Sequence, residues 1–191
     1  MLFGGSLLSL REIRWHGRGG QGAWTASELL ARAAIHEGKY IQSFPEFGPE
    51  RMGAPVKAYT RISDEPINLH CAVYHPSLAI VMDPTLLATV PVTEGLDENG
   101  ILILNTPKEP KQIKEELKME GTVWTVPATD IAMRILGRFI TNTAMLGVVA
   151  RATQMVKMES IEKALHERFP GPLAEKNMGV IQEAYKEAKS E

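Results

Sequence analysis

The sequence predicts an α/β protein, a three-layer α/β/α Rossmann-like domain built on a mixed, mainly parallel sheet. Three observations predict it. A glycine-rich stretch, Trp15-His16-Gly17-Arg18-Gly19-Gly20-Gln21-Gly22, joins an alternating strand-like run to a helix-periodic one. Two short unbroken apolar runs, residues 78–82 and 101–104, have the composition of strands buried on both faces. From residue 101 onward, strand-like and helix-like segments take turns, the order that builds parallel sheets.

Arg11-Glu12-Ile13-Arg14-Trp15 alternates polar and apolar residues, the period-2 signature of a first strand. Over residues 23–36, Ala23, Ala26, Leu29, Leu30, Ala33 and Ala34 recur at spacings of three and four, which predicts a helix with Gly38 as its stop. Small residues on that face let the helix lie close to a sheet. Residues 39–44 read as a second strand and complete a βαβ unit. The loop at 44–55 carries three prolines and two glycines, and it is rigid because each proline fixes φ and removes a donor. Presenting Glu50 and Arg51, it serves either as a structural crossover or as part of a binding or subunit-contact surface.

Residues 56–62 alternate as a strand, and Ser63-Asp64-Glu65-Pro66 turns into a short extended Ile67-Asn68-Leu69. So short a connection predicts an antiparallel hairpin, which makes the sheet mixed. The buried run at 78–82 ends at Asp83-Pro84, with a short helix at 85–90. Glu98-Asn99-Gly100 turns into the strand at 101–104, stopped by Asn105-Thr106-Pro107. A charged helix at 110–120, a strand at 122–126 and a helix at 128–136 follow. Residues 143–156 form a long apolar helix capped by Thr141 or Asn142. The tail from Ser160 splits at Pro170-Gly171-Pro172 into two amphipathic helices whose charge runs are solvated faces.

With 191 residues, 44% hydrophobic and 23% charged, the chain can bury a substantial core, and residues 11–191 read as one domain. Residues 1–10 are a mildly apolar N-terminal extension without a basic leader region and too short to span a bilayer, so the expectation is a cytoplasmic protein with no membrane contact. A formal net charge of -2 gives no electrostatic case for nucleic acid. The single cysteine, Cys71, excludes a disulfide within the chain, and one thiolate falls short of the roughly four that an iron–sulfur cluster needs. Flanked by His70 and His75 but with no third ligand in sight, Cys71 is expected to be a buried or half-buried structural residue.

The glycines carry the strongest chemical signal. Gly17, Gly19 and Gly22 match a G-x-G-x-x-G spacing, in which missing Cβ atoms allow a sharp turn and let a phosphate approach N–H groups at a helix N-terminus. Gly17, Arg18, Gly19, Gly20, Gln21 and Gly22 are therefore candidate binding residues. The motif fits a dinucleotide, another phosphate-bearing ligand, or only a tight strand-to-helix turn. A nicotinamide-binding domain would need an acid near the end of the second strand, and Glu46 is the nearest one, beyond Phe44-Pro45. No nucleophile elbow, phosphate-loop lysine or H-E-x-x-H motif is present. A phosphate-compatible loop without reactive groups points to a binding or assembly module, with no catalytic residue of its own.

Three separated segments together resemble one family, the gamma subunits of 2-oxoacid:ferredoxin oxidoreductases, and the pyruvate enzyme in particular. They are Gly17-Arg18-Gly19-Gly20-Gln21-Gly22; Phe47-Gly48-Pro49-Glu50-Arg51-Met52-Gly53-Ala54-Pro55-Val56 running toward Arg61-Ile62-Ser63; and Asn142-Thr143-Ala144-Met145-Leu146-Gly147. Asp83-Pro84 and Asn105-Thr106 also fit, so the resemblance spans the chain from about residue 11. Met52 departs from it, since many relatives carry a second arginine there.

The resemblance implies a non-catalytic gamma subunit beside alpha, beta and delta partners that hold thiamine diphosphate and iron–sulfur clusters. The whole complex would convert pyruvate and coenzyme A to acetyl-CoA and carbon dioxide while reducing ferredoxin, which this chain would serve only indirectly. It further implies that the chain lies near the coenzyme A entrance, with the glycine loop as its phosphate-compatible element. Glu50, Arg51 and Asn142 join that loop as expected cofactor-binding residues, while the proline-rich loop and the Asn142 segment are also the first choices for a subunit interface, as are Arg18 and Arg51. An NAD-dependent dehydrogenase domain and a ligand-free scaffold are the competing expectations.

Overall fold

The computed structural model describes residues 10–46 and 52–191. Its strands are β1 (Arg11–Arg18), β2 (Tyr40–Pro45), β3 (Pro55–Ser63), β4 (Leu78–Val81), β5 (Ile101–Asn105), β6 (Thr122–Val126) and β7 (Lys189–Ser190). Its helices are α1 (Ala23–Ile35), α2 (Pro110–Leu117), α3 (Ala128–Leu136), α4 (Asn142–Thr153), α5 (Met158–Arg168) and α6 (Gly171–Glu187), with a 3-10 turn at Pro84–Ala88. All seven strands form one sheet in the order β2-β3-β1-β4-β5-β6-β7. β1, β4, β5 and β6 run parallel, while β3 is antiparallel to both β1 and β2, and β7 is antiparallel to β6.

The predicted fold class is thus observed, and period-2 burial explains its layers. Ile13, Trp15, Leu78, Ile80, Ile103 and Val126 face a large apolar core filled by α1, α3, α4, α5 and α6. Their neighbours in sequence, Ala79, Val81, Leu102, Leu104 and Val123, face a smaller core closed by Leu86 and by Ile113 of α2. The central strands are covered on both sides, which is why their sequences read as unbroken apolar runs. On α1 the expected small residues Ala23, Ala26, Ala33 and Ala34 are buried, and Ser27 among them ties the helix to the sheet through the Tyr59 carbonyl at 2.7 Å and Thr60 Oγ1 at 2.8 Å.

Three local expectations are corrected. β1, α1 and β2 make a split βαβ unit, because β3 lies between the two parallel strands. The mixed sheet comes from that insertion and not from a hairpin onto residues 67–69, which form no strand. Neither Thr141 nor Asn142 caps α4 by its side chain: Asn142 is the first helical residue, and its Oδ1 accepts from the N–H of Thr143 at 2.8 Å. The short C-terminal strand β7 carried no signal in its two residues, since pairing with β6 alone defines it.

Candidate functional site at the first strand-to-helix turn

From β1 the chain crosses to β2 on one side of the sheet, while β4, β5 and β6 extend on the other. The C-terminal ends of β1 and β4 therefore flank a topological switch point, the place where open α/β sheets hold ligands. β1 delivers residues 17–22 there, and β4 delivers Asp83 and Thr85.

The two sides are latched by polar side chains. Gln21 Nε2 donates to Asp83 Oδ2 at 2.8 Å, while Gln21 Oε1 accepts from the Arg18 N–H at 2.8 Å. Arg18 reaches Thr85 Oγ1 at 2.7 Å, the Gly53 carbonyl at 3.0 Å and Asp83 Oδ2 at 3.2 Å. Burial alone would raise the Asp83 pKa. Hydrogen bonds from Thr85 and Gln21, together with the Arg18 charge, outweigh burial and hold the carboxyl below its ordinary value. The loop is also stitched to the segment after it, Gly19 N–H to the Ala54 carbonyl at 2.8 Å and Gly53 N–H to the Gly19 carbonyl at 3.1 Å.

At Gly22 the need for glycine is geometric. Its φ of 78° is left-handed, and it forms the N-terminal boundary of α1 without any side-chain cap. A Cβ built there would sit 2.6 Å from Asn142 Nδ2, so the start of α4 touches the start of α1. The first hydrogen bond of α1 runs from Ala26 N–H to the Gly22 carbonyl. The N–H groups of Gly20, Gly22, Ala23 and Trp24 consequently have no acceptor among the described residues. Asn142 is buried, with Oδ1 engaged, and Nδ2 has no acceptor among the described residues either. A cluster of unused donors at the positive end of a 13-residue helix fits an anion such as a diphosphate.

Seven of the nine expected site residues, Gly17, Arg18, Gly19, Gly20, Gln21, Gly22 and Asn142, meet at this turn. Within the turn their roles divide: Arg18 and Gln21 spend their N–H groups on the loop itself and Gly19 on the Ala54 carbonyl, whereas Gly20 and Gly22 have no acceptor among the described residues. Glu50 and Arg51 lie outside the described residues. Glu46 does not approach the turn. It accepts from Tyr59 Oη at 2.8 Å and Lys57 Nζ at 3.3 Å, and β3 separates its strand from β1, a displacement of about 10 Å at two strand spacings. That sheet order removes the support for a nicotinamide-binding reading.

Sequence reasoning missed the part of Thr85 and the polar underside of β1. Arg14 is buried and donates from Nε to His16 Nε2 at 2.9 Å and from Nη2 to the Val92 and Glu94 carbonyls. Burial, then the charges of Arg14 and Lys57, lower the His16 pKa to about 3, so His16 is neutral and accepts at Nε2. Alternation along β1 already put Glu12, Arg14 and His16 on one face, a signal that this face is not an ordinary apolar layer. Cys71 is exposed, not buried, because residues 69–72 run over that polar face. Among the described residues, no group of three or more His, Cys, Asp or Glu side chains is arranged to hold a metal ion.

Comparison with known proteins identifies the family of the chain. Residues 12–187 match the family described as pyruvate ferredoxin/flavodoxin oxidoreductase. The chain is 54% identical to the pyruvate/ketoisovalerate oxidoreductases common subunit gamma of Thermococcus kodakarensis, over 91% of this chain and 95% of that one. It is 48% identical to pyruvate synthase subunit PorC of Methanocaldococcus jannaschii, over 92% and 96% of the two chains. The crystal structure of pyruvate oxidoreductase subunit PORC from Thermotoga maritima superposes with a TM-score of 0.86 at 43% identity, covering 95% of this chain and 98% of that one. The chain therefore belongs to the pyruvate ferredoxin/flavodoxin oxidoreductase family and is the counterpart of its gamma (PorC) subunits.

Proposed function

We propose that the chain is the non-catalytic gamma subunit of a cytoplasmic multisubunit pyruvate (2-oxoacid):ferredoxin oxidoreductase, and that its glycine turn holds the diphosphate of coenzyme A. The complex converts pyruvate and coenzyme A to acetyl-CoA and carbon dioxide with reduction of ferredoxin. Similarity to gamma and PorC subunits over 91–92% of this chain supports the first part. The single cysteine in the sequence supports iron–sulfur clusters on alpha, beta or delta partners, where thiamine diphosphate also resides. Residues 11–191 act as one gamma domain, with residues 1–10 as an extension. Among the described residues no helix is long and apolar enough to cross a membrane.

The observation that carries the coenzyme A reading is the set of unused donors: Gly20, Gly22, Ala23 and Trp24 N–H with Asn142 Nδ2, all at the start of α1. Arg18 adds a cation at the rim, already turned by Asp83 toward the crevice. The chain's part is to bind and orient the anionic end of coenzyme A, so that the thiol end extends toward chemistry on a partner. Asn142→Asp tests this by replacing a donor with a negative charge of the same size. In the assembled enzyme the KM for coenzyme A should rise at least tenfold, with coenzyme A-independent pyruvate decarboxylation unchanged. An unaltered KM in a properly assembled complex rejects the reading.

A further inference from the structure

We propose that β2 is a docking edge, on which an extended, uncharged segment of a partner subunit adds as an eighth strand of the sheet. The proposal rests on the gamma-subunit reading, and it names the surface through which that subunit joins its complex.

The two ends of the sheet differ. Beyond β6 the sheet ends in the two-residue β7, whose Lys189 pairs with Glu109, a short and charged border of the kind that discourages further pairing. At the other end, no strand among the described residues pairs with the outer side of β2, and its sequence Tyr-Ile-Gln-Ser-Phe-Pro contains no charge. Only Pro45 at its last position limits pairing. Among the described residues, this six-residue uncharged edge has backbone donors and acceptors on its outer side that no strand takes up.

Cavities flank this edge on both faces. One, of about 700 Å³, lies between the strands and residues 69–72 and is lined by Phe44, Tyr59, Leu69 and Cys71. The second, of about 310 Å³, lies between β2 and α1 and is lined by Trp24, Ala31 and Ile35. Ile41 and Ser43 border both. Side chains of an added strand point alternately to the two faces, so successive residues of the guest would enter successive cavities. Trp24, Ile35, Tyr40 and Leu69 around them are large, apolar and exposed.

Charge selects the guest. Lys39 is paired with Asp64, Lys57 with Glu46 at 3.3 Å and Arg32 with Glu28 at 2.8 Å, so the ionic groups bordering the edge are satisfied within the chain. Glu46 and Arg61 line the larger cavity and Glu28 and Arg32 the smaller, each already paired within the chain. A charged guest strand would have to compete for an occupied counter-ion as it loses hydration, whereas an uncharged strand with alternating apolar side chains meets the uncharged edge without that cost.

The test uses the native complex and the full chain. Deuterium exchange at the amides of β2 should slow at least tenfold on going from the free chain to the complex. Ile35→Glu combined with Leu69→Glu, both at exposed positions, should leave the thermal unfolding of the free chain unchanged and weaken co-assembly at least tenfold. Leu173→Glu, exposed on α6, should assemble normally. Equal exchange in both states, or normal assembly of the double variant, overturns the proposal. So does a free chain that dimerises with β2 protected, because a second copy is then the occupant. Failure of the unaltered chain to enter any complex instead removes the gamma-subunit reading itself, and with it the guest.

Discussion

Asn142 Nδ2 stands 2.6 Å from the point where a Cβ on Gly22 would lie, so the N-terminus of α4 closes on the N-terminus of α1 with no room for a side chain. The contact joins residues 120 positions apart, and it explains why a glycine at the turn and an asparagine opening a later helix belong to one site.

Gly22→Ala is expected to destabilise the fold beyond the cost of a left-handed alanine alone. Gly38 supplies the control, having a similar φ of 75° but nothing within 4 Å of an added Cβ. Gly38→Ala should cost about 1 kcal/mol, and Gly22→Ala roughly 1 kcal/mol more as Asn142 is displaced. Urea unfolding of the two variants measures the difference, and equal losses would remove the steric account.

Acid should weaken the protein through His16. Its pKa is about 3 in the fold against an ordinary 6.5, so below pH 6.5 the unfolded chain takes up a proton that the folded chain refuses. Stability from this group is complete above pH 6.5 and is lost progressively as pH falls toward 3, by up to about 1.4 kcal/mol per pH unit. His16→Gln keeps an acceptor for Arg14 and should flatten that slope in denaturant titrations between pH 6.5 and 4. An unchanged slope would assign the acid sensitivity elsewhere.

Arg61 belongs to a segment of the family resemblance, yet its geometry is structural. Its side chain is 1% exposed, bonded to Glu12 at 2.7 Å, Gln42 at 3.0 Å and the Ala72 carbonyl at 3.3 Å, with Phe44 under the guanidinium. Arg61→Lys cannot reproduce the planar fork, and Arg61→Ala leaves Glu12 without its partner. The alanine variant should lose about 3 kcal/mol in chemical unfolding, with lysine recovering less than half of it.

The exposure of Cys71 predicts one fast-reacting thiol. A chromogenic disulfide reagent should label the folded chain at a rate within about tenfold of the urea-unfolded chain. Reaction only after unfolding would restore the buried assignment that the sequence favoured.

Much of the fold was legible because its signals are local. Alternation marked the strands, spacings of three and four picked the buried face of α1, and unbroken apolar runs located the strands covered on both sides. The glycine turn was legible as a strand-to-helix junction because its four glycines interrupt the alternating run just before the helix-periodic one. Where the sequence misled, the cause was long-range. Nothing local in residues 39–44 reveals that β3 will insert between β1 and β2, and that insertion alone carries Glu46 away from the turn. The exposure of Cys71 likewise depends on residues 69–72 lying across a polar sheet face.

By itself the sequence determined the fold class, the order of helices and strands up to β7, the family resemblance and the limit of one thiolate. These follow from periodicity, composition and motifs, each carried by residues close in the chain. Only the tertiary structure decided that Arg18 and Gln21 latch onto Asp83 and Thr85, that Asn142 closes on Gly22, and that no strand among the described residues pairs with the outer side of β2. Each of these depends on which strands become neighbours. Backbone pairing over tens of residues sets that order, through hydrogen bonds whose partners no short stretch of sequence specifies.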